Sequence, residues 1–170
     1  GKLTKTIYPD GSWVRYGYDD YGRVTNVVRP YLNASHDAAA SACRVTEYYY
    51  GSVNGENAPD PWDQRPRRTI EKIEGAEVSR SFNYYIPNEH WSIQCPTPGA
   101  LFDATDNIIT KTYYYAPGHD YAGRIKKVVN PDGTGTVYTY SLSSGNLTTT
   151  VSNGVLSGDT VTVGTRTATV

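Results

Sequence analysis

The sequence predicts an all-β protein built from consecutive antiparallel hairpins. Three observations carry that prediction: a motif recurring at matched spacing, a period of two in the apolar residues inside it, and turn-forming triplets between the apolar runs. The motif is a Gly, a polar residue and an aliphatic residue, with a Pro eight positions after the Gly. Gly1-Lys2-Leu3 leads to Pro9, Gly22-Arg23-Val24 to Pro30, and Gly123-Arg124-Ile125 to Pro131. Gly22 follows Gly1 by 21 residues and Gly145 follows Gly123 by 22. A unit of 21–22 residues has room for about two short strands, so the chain reads as a tandem repeat.

Within the unit, positions two and six after each Gly are apolar: Leu3 and Ile7, Val24 and Val28, Ile125 and Val129, Leu147 and Val151. Even offsets share one face of a strand, so this pattern predicts extended chain with an apolar face. Pro9-Asp10-Gly11 and Pro131-Asp132-Gly133 follow. Pro presets φ, Asp bonds nearby backbone and Gly accepts positive φ, which together specify a tight turn. Returning runs rich in Tyr, Val and Thr, including Tyr16/Tyr18 and Tyr138/Tyr140, complete each hairpin.

The residues between these blocks are irregular. Domain organisation is read as repeat hairpins over 1–50 with a loop enlarged at 31–47, an irregular insert over 51–110, and repeat hairpins with a terminal strand over 111–170. The run Ala38 to Ala42 suits a helical turn. Pro59, Pro61 and Pro66 break any strand over 51–68, residues 69–85 read as one hairpin around Glu74-Gly75-Ala76-Glu77, and 86–107 reads as a second long loop. Loops on a regular scaffold are the expected place for any site particular to this chain.

Tyr18-Asp19-Asp20-Tyr21-Gly22-Arg23 resembles the YD repeat, the Tyr-Asp-x-x-Gly-Arg unit of RHS/YD-repeat proteins. Asp120-Tyr121-Ala122-Gly123-Arg124 keeps Asp-x-x-Gly-Arg with His119 where the motif has Tyr. Tyr140 to Gly145 keeps the Tyr and Gly alone and has one extra residue. The resemblance covers residues 1–30 and 113–153. It implies a segment of a spiral sheet forming a hollow shell, as in bacterial polymorphic toxins, insecticidal toxin complexes and teneurins, where the toxin shell encloses a C-terminal effector. It also implies a structural role for Gly1, Tyr18, Asp19, Gly22, Arg23, Asp120, Gly123, Arg124, Tyr140 and Gly145. Partners are then flanking strands of a parent chain, self-association through edge strands, or an enclosed effector domain, and the parent is expected to be exported or at the cell surface. Some toxins of this kind carry an autoproteolytic Asp; Asp60-Pro61-Trp62 shares only a dipeptide with that motif, and the role is not carried over.

Composition agrees with thin, solvated sheets. The chain of 170 residues has 16 Tyr against two Phe and is 38% hydrophobic, and Tyr covers a sheet face while keeping a hydroxyl for water. A net charge of −1 argues against nucleic acid or an anionic membrane as principal partner. No apolar run reaches membrane-spanning length, so no membrane insertion is expected.

No catalytic motif stands out, so the chain is read as non-enzymatic, without cofactor or metal. The Asp residues sit at turns, where they bond backbone. His36, His90, His119, Cys43 and Cys95 match no zinc-ligand spacing. Cys43 and Cys95 would suit either a disulfide joining the two long loops or two unpaired buried thiols. Asn33-Ala34-Ser35 and Asn146-Leu147-Thr148 fit the glycosylation triplet. The alternative function is a carbohydrate-binding or adhesion module, with Trp13, Trp62 and Trp91 and the Tyr runs stacking on glycan rings; coplanar, exposed aromatics would favour it, and edge-to-face packing would favour scaffold.

Overall fold

The computed structural model describes residues 1–170 as twelve antiparallel strands of one sheet in the order β1 to β12, with one short 3-10 turn at Ala40–Ala42. The strands are β1 (Lys5–Ile7), β2 (Trp13–Tyr18), β3 (Val24–Arg29), β4 (Arg44–Tyr49), β5 (Arg68–Ile73), β6 (Ala76–Ile86), β7 (Glu89–Cys95), β8 (Ile108–Tyr114), β9 (Ile125–Val129), β10 (Thr134–Ser143), β11 (Asn146–Ser157) and β12 (Thr160–Thr169). The all-β, hairpin-after-hairpin expectation holds. Two strands depart from the loop readings: β4 begins at Arg44, inside the stretch 31–47, and β7 lies inside the stretch 86–107, joined to β6 through Pro87-Asn88, with Asn88 at φ 60°. The alternation of Trp91, Ile93 and Cys95 in β7 is a strand signal that the flanking prolines obscure.

The chain divides into two compact units, Gly1–Tyr84 with Ile93–Asn107, and Tyr85–Ser92 with Ile108–Val170. In the first, Trp13, Val28, Cys43 and Val45 form a buried cluster against which Ala34 and Ala38 pack. The enlarged loop 31–43 therefore covers the sheet. The indole N–H of Trp13 donates to the Ala34 carbonyl (3.0 Å) and Arg15 donates to that of Ala38 (2.7 Å). The other two loops of this unit also have anchors. Residues 50–67 close on the buried Arg67, whose Nε donates to Glu56 at 2.7 Å and whose Nη2 donates to Asp63 at 3.0 Å. Phe102 of the loop 96–107 packs edge-on against Phe82 and Tyr84, with centroids 5.6 and 5.3 Å away.

The period-two reading needs one correction. Tyr18 pairs with Val24 but Gly17 pairs with Asn26, leaving Thr25 as a bulge; likewise Tyr114 pairs with Ile125 and Tyr113 with Lys127, leaving Lys126. A bulge three residues after the Gly reverses the alternation. Val24 thus shares a face with Val27, and Ile125 with Val128, whereas Val28 and Val129 lie on the opposite faces. Where no bulge intervenes, Leu147 and Val151 of β11 do share a face.

In the second unit Gly135 of β10 pairs with Gly154 of β11, which pairs with Gly164 of β12. A Cβ on any of the three would stand about 2 Å from a backbone oxygen: Val128 for Gly135 (2.1 Å), Val163 for Gly154 (1.9 Å) and Asn153 for Gly164 (1.8 Å). Only glycine permits this approach.

Candidate functional site

The recurrent motif is an arrangement that the chain builds more than once, so its residues form the candidate site. At the Tyr18–Arg23 motif, β2 ends and the chain turns through Gly22 at φ 83°. The Asp19 carboxylate accepts the N–H groups of Tyr21 (3.0 Å) and Arg23 (2.9 Å) and the Arg23 Nε (2.7 Å), while Gly22 N–H donates to the Asp19 carbonyl. Partial burial works to raise the Asp19 pKa, but the bonds from Arg23 and Tyr21 outweigh it and the net shift is downward. Asp19 is thus a turn clamp fixed in its ionised form.

Arg23 lies between two rings, 5.1 Å from the centre of Tyr21 and 4.5 Å from that of Tyr50. The Tyr50 hydroxyl then donates to the Val24 carbonyl at 2.8 Å. The same geometry appears twice more. Lys2 stands 5.3 Å over Tyr18, whose hydroxyl donates to Leu3 O at 2.7 Å; Arg124 stands 5.3 Å over Tyr140, whose hydroxyl donates to Ile125 O at 3.0 Å. In all three a cation follows the Gly, and a Tyr towards the end of the returning strand of the same hairpin covers it and bonds the next carbonyl. The motif Tyr therefore closes the unit before it, while the motif Asp, Gly and Arg open the unit after it.

The second copy differs where its sequence does. His119 Nδ1, in place of a carboxylate, accepts the Tyr121 N–H at 3.1 Å, and the ring lies 4.4 Å from Tyr115. Asp120 is exposed and makes no clamp. Gly123 has φ 76° and Gly145 has φ 81°, both at turns, and Gly1 is exposed, with open space where a Cβ would stand. Lys2 and Tyr50 are the members that sequence reading missed. Tyr50 follows Val24 by 26 residues where Tyr18 follows Leu3 by 15, a difference equal to the enlargement of the loop between Pro30 and Tyr50.

The Pro-Asp-Gly turns also repeat. Asp10 accepts the Ser12 N–H (3.0 Å) and hydroxyl (2.7 Å), and Asp132 accepts the same two bonds from Thr134. Those bonds hold both carboxylates below their ordinary pKa. Asp159 accepts Lys126 (2.6 Å) and Lys127 (2.7 Å), which lower its pKa to about 2.

No group of His, Cys, Asp and Glu side chains is placed to hold a metal. His36 sits 2.7 Å from Lys5 Nζ and 2.9 Å from Asp37, and His90 stacks on Tyr85 at 4.4 Å. The disulfide alternative is corrected: Cys43 and Cys95 are separate buried thiols. Cys43 precedes β4 and Cys95 ends β7, three strand spacings away, roughly 14 Å, whereas a disulfide needs Cα atoms within about 7 Å. Burial raises the Cys95 pKa, which leaves its thiol protonated and unreactive.

The Trp set is corrected in part. Trp13 is 3% exposed and belongs to the core, so it offers no stacking face. Trp62 is exposed, but it meets Tyr21 edge-on at 82°. Trp91 is half-buried, its indole N–H bonded to Glu89, with the Lys111 ammonium 3.7 Å from its ring centre.

Comparison with known proteins gives no relatives: no protein-family model, curated protein or solved structure matches this chain. No helix is long and apolar enough to cross a membrane.

Proposed function

We propose that the chain is a structural β-scaffold segment of the RHS/YD-repeat kind, serving to enclose or present an effector domain within a large exported or surface protein. The observation that carries this reading is the threefold Tyr–cation–carbonyl closure. The motif side chains are engaged in holding the two strands of each hairpin together, so the residues that recur act on the sheet itself. The long loops support it as well, since each folds onto the sheet through its own anchor.

The test is protease protection of the natural polypeptide that contains this chain. An enclosed effector should resist cleavage until the sheet unfolds; an effector cut as fast within the whole protein as in isolation overturns the reading. Replacing His36, His90 and His119 together should leave the parent protein's function intact once any stability change is accounted for. Retained folding with lost activity would point to an enzyme.

The carbohydrate-binding alternative has a separate outcome. A glycan array probed with the chain should be blank, because Trp13 is buried and Trp62 presents an edge-to-face pair. Specific glycan retention, abolished by Trp62→Ala, would replace the scaffold reading with an adhesive one.

A further inference from the structure

Four positions in the chain place an Asn or Asp directly before a glycine in a turn or strand: Asp10-Gly11, Asn54-Gly55, Asp132-Gly133 and Asn153-Gly154. Such dipeptides are prone to ring closure, because a glycine without Cβ lets its backbone nitrogen reach the neighbouring side-chain carbonyl carbon. The structure treats the four differently. Asp10 and Asp132 are held by the hydroxyl and N–H of Ser12 and Thr134 and stay ionised, which makes their carbonyl carbons poor electrophiles. Asn153 donates nothing to a turn but accepts the Thr136 hydroxyl at 2.7 Å, and Gly154 is paired on both sides, with Gly135 and Gly164.

Asn54 has none of these restraints. It is exposed, its side chain makes no hydrogen bond, and with Gly55 it forms the tip of a turn in which both residues have positive φ, 47° and 72°. That turn is closed by one backbone bond, from Glu56 N–H to Val53 O at 3.1 Å, in which the Gly55 nitrogen takes no part. The next residue, Glu56, is buried, and its carboxylate accepts Nε of the buried Arg67 that anchors the loop.

We propose that Asn54-Gly55 is a site of spontaneous deamidation whose isoaspartyl product releases the loop 50–67 by displacing Glu56 from Arg67. The Gly55 backbone nitrogen attacks Asn54 Cγ; a C–N bond forms, the Cγ–amide bond breaks, and the side-chain nitrogen leaves as ammonia after taking up a proton. Water then opens the five-membered imide at either carbonyl. Opening at one carbonyl gives an ordinary aspartyl residue, and opening at the other gives isoaspartate, in which the main chain runs through Cβ and is longer by one carbon. No oxidant or reductant enters. The added carbon lies two residues from an ion pair whose two side chains are almost fully buried, so lengthening the chain there separates them.

The experiment is to age the intact chain in mildly alkaline buffer and to follow each site by peptide mapping with quantification of isoaspartate, alongside limited proteolysis of the folded protein. Isoaspartate should accumulate at Asn54 several-fold faster than at Asn153, Asp10 or Asp132, and cleavage within 50–67 should rise in step with it. An Asn54→Gln chain should show neither change, and an Asn54→Asp chain assayed before ageing should be resistant to protease, because it carries the charge without the longer backbone. Conversion first at Asn153 or at either Asp, or no conversion at any site, overturns the proposal. Conversion at Asn54 with undiminished protease resistance overturns the coupling to Arg67.

Discussion

Tyr50→Phe isolates one bond of the recurrent closure. The ring remains, so the Arg23 guanidinium keeps its aromatic partner 4.5 Å away; what goes is the hydroxyl that donates to Val24 O at 2.8 Å. Both groups are half-buried, and burial already raises the Tyr50 pKa, against the nearby positive charge of Arg23. A neutral hydrogen bond in such a setting contributes about 1 kcal/mol net. For a chain of this length that corresponds to a fall of roughly 2–4 °C in Tm. Tyr50→Leu removes the ring as well and should cost about a further 0.5–1 kcal/mol for the lost cation–π contact. A cycle of Tyr50→Leu with Arg23→Met would isolate that second part, because a true contact leaves the double variant less destabilised than the sum of the singles. Tyr49→Phe is the control: Tyr49 is exposed and its hydroxyl holds no carbonyl. Urea denaturation followed by circular dichroism gives the comparison, provided the slope with denaturant is unchanged. If Tyr50→Phe melts with the parent while Tyr18→Phe and Tyr140→Phe do likewise, the closures contribute nothing and the motif has some other use.

Further expectations concern other parts of the chain. Gly22→Val should destabilise by about 1–3 kcal/mol, because a β-branched residue is forced to φ 83°; the nearest atom, Lys2 Nζ, can move aside, so the cost is in the backbone, and an unchanged melting curve would remove it. Arg67→Leu should cost about 3–5 kcal/mol by leaving Glu56 buried without its guanidinium, measured by chemical denaturation. Asp159 has a folded pKa lowered to about 2, so its contribution is complete above the unfolded carboxylate value and disappears as pH falls from about 4 towards 2. Asp159→Asn should accordingly flatten the acid limb of the stability profile in that window, and an unaltered limb would show that Lys126 and Lys127 do not hold it. β1 and β12 each have a single neighbour in the sheet, and β12 carries only Arg166 as charge, so the isolated chain should self-associate on concentration in sedimentation analysis.

The hairpin order was legible because turn chemistry is local: Pro9-Asp10-Gly11 and Pro131-Asp132-Gly133 fold the same way in both copies, and Glu74-Gly75 turns at φ 51° and 78°. The bulges at Thr25 and Lys126 were not legible, since one extra residue leaves no mark on composition yet moves Val28 and Val129 to the other face. Asp19 and Arg23 could be read from the motif because they act within one turn. Tyr50 could not, because its partner is brought to it by strand pairing across an enlarged loop. Trp13 looked like a stacking residue for a similar reason: nothing local says that Ala34 and Ala38 return to cover it.

The row Gly135, Gly154 and Gly164 has a consequence for how this end of the protein tolerates change. Three strands cross one line on which no side chain stands, and each crossing brings main chain too close to a neighbour for even a methyl group. The close approach there is encoded by missing atoms rather than by matched ones. The Thr, Ser and Val residues on either side can therefore be recoded to present a different surface while the crease keeps its place, whereas a single alanine on the line would push two backbones apart.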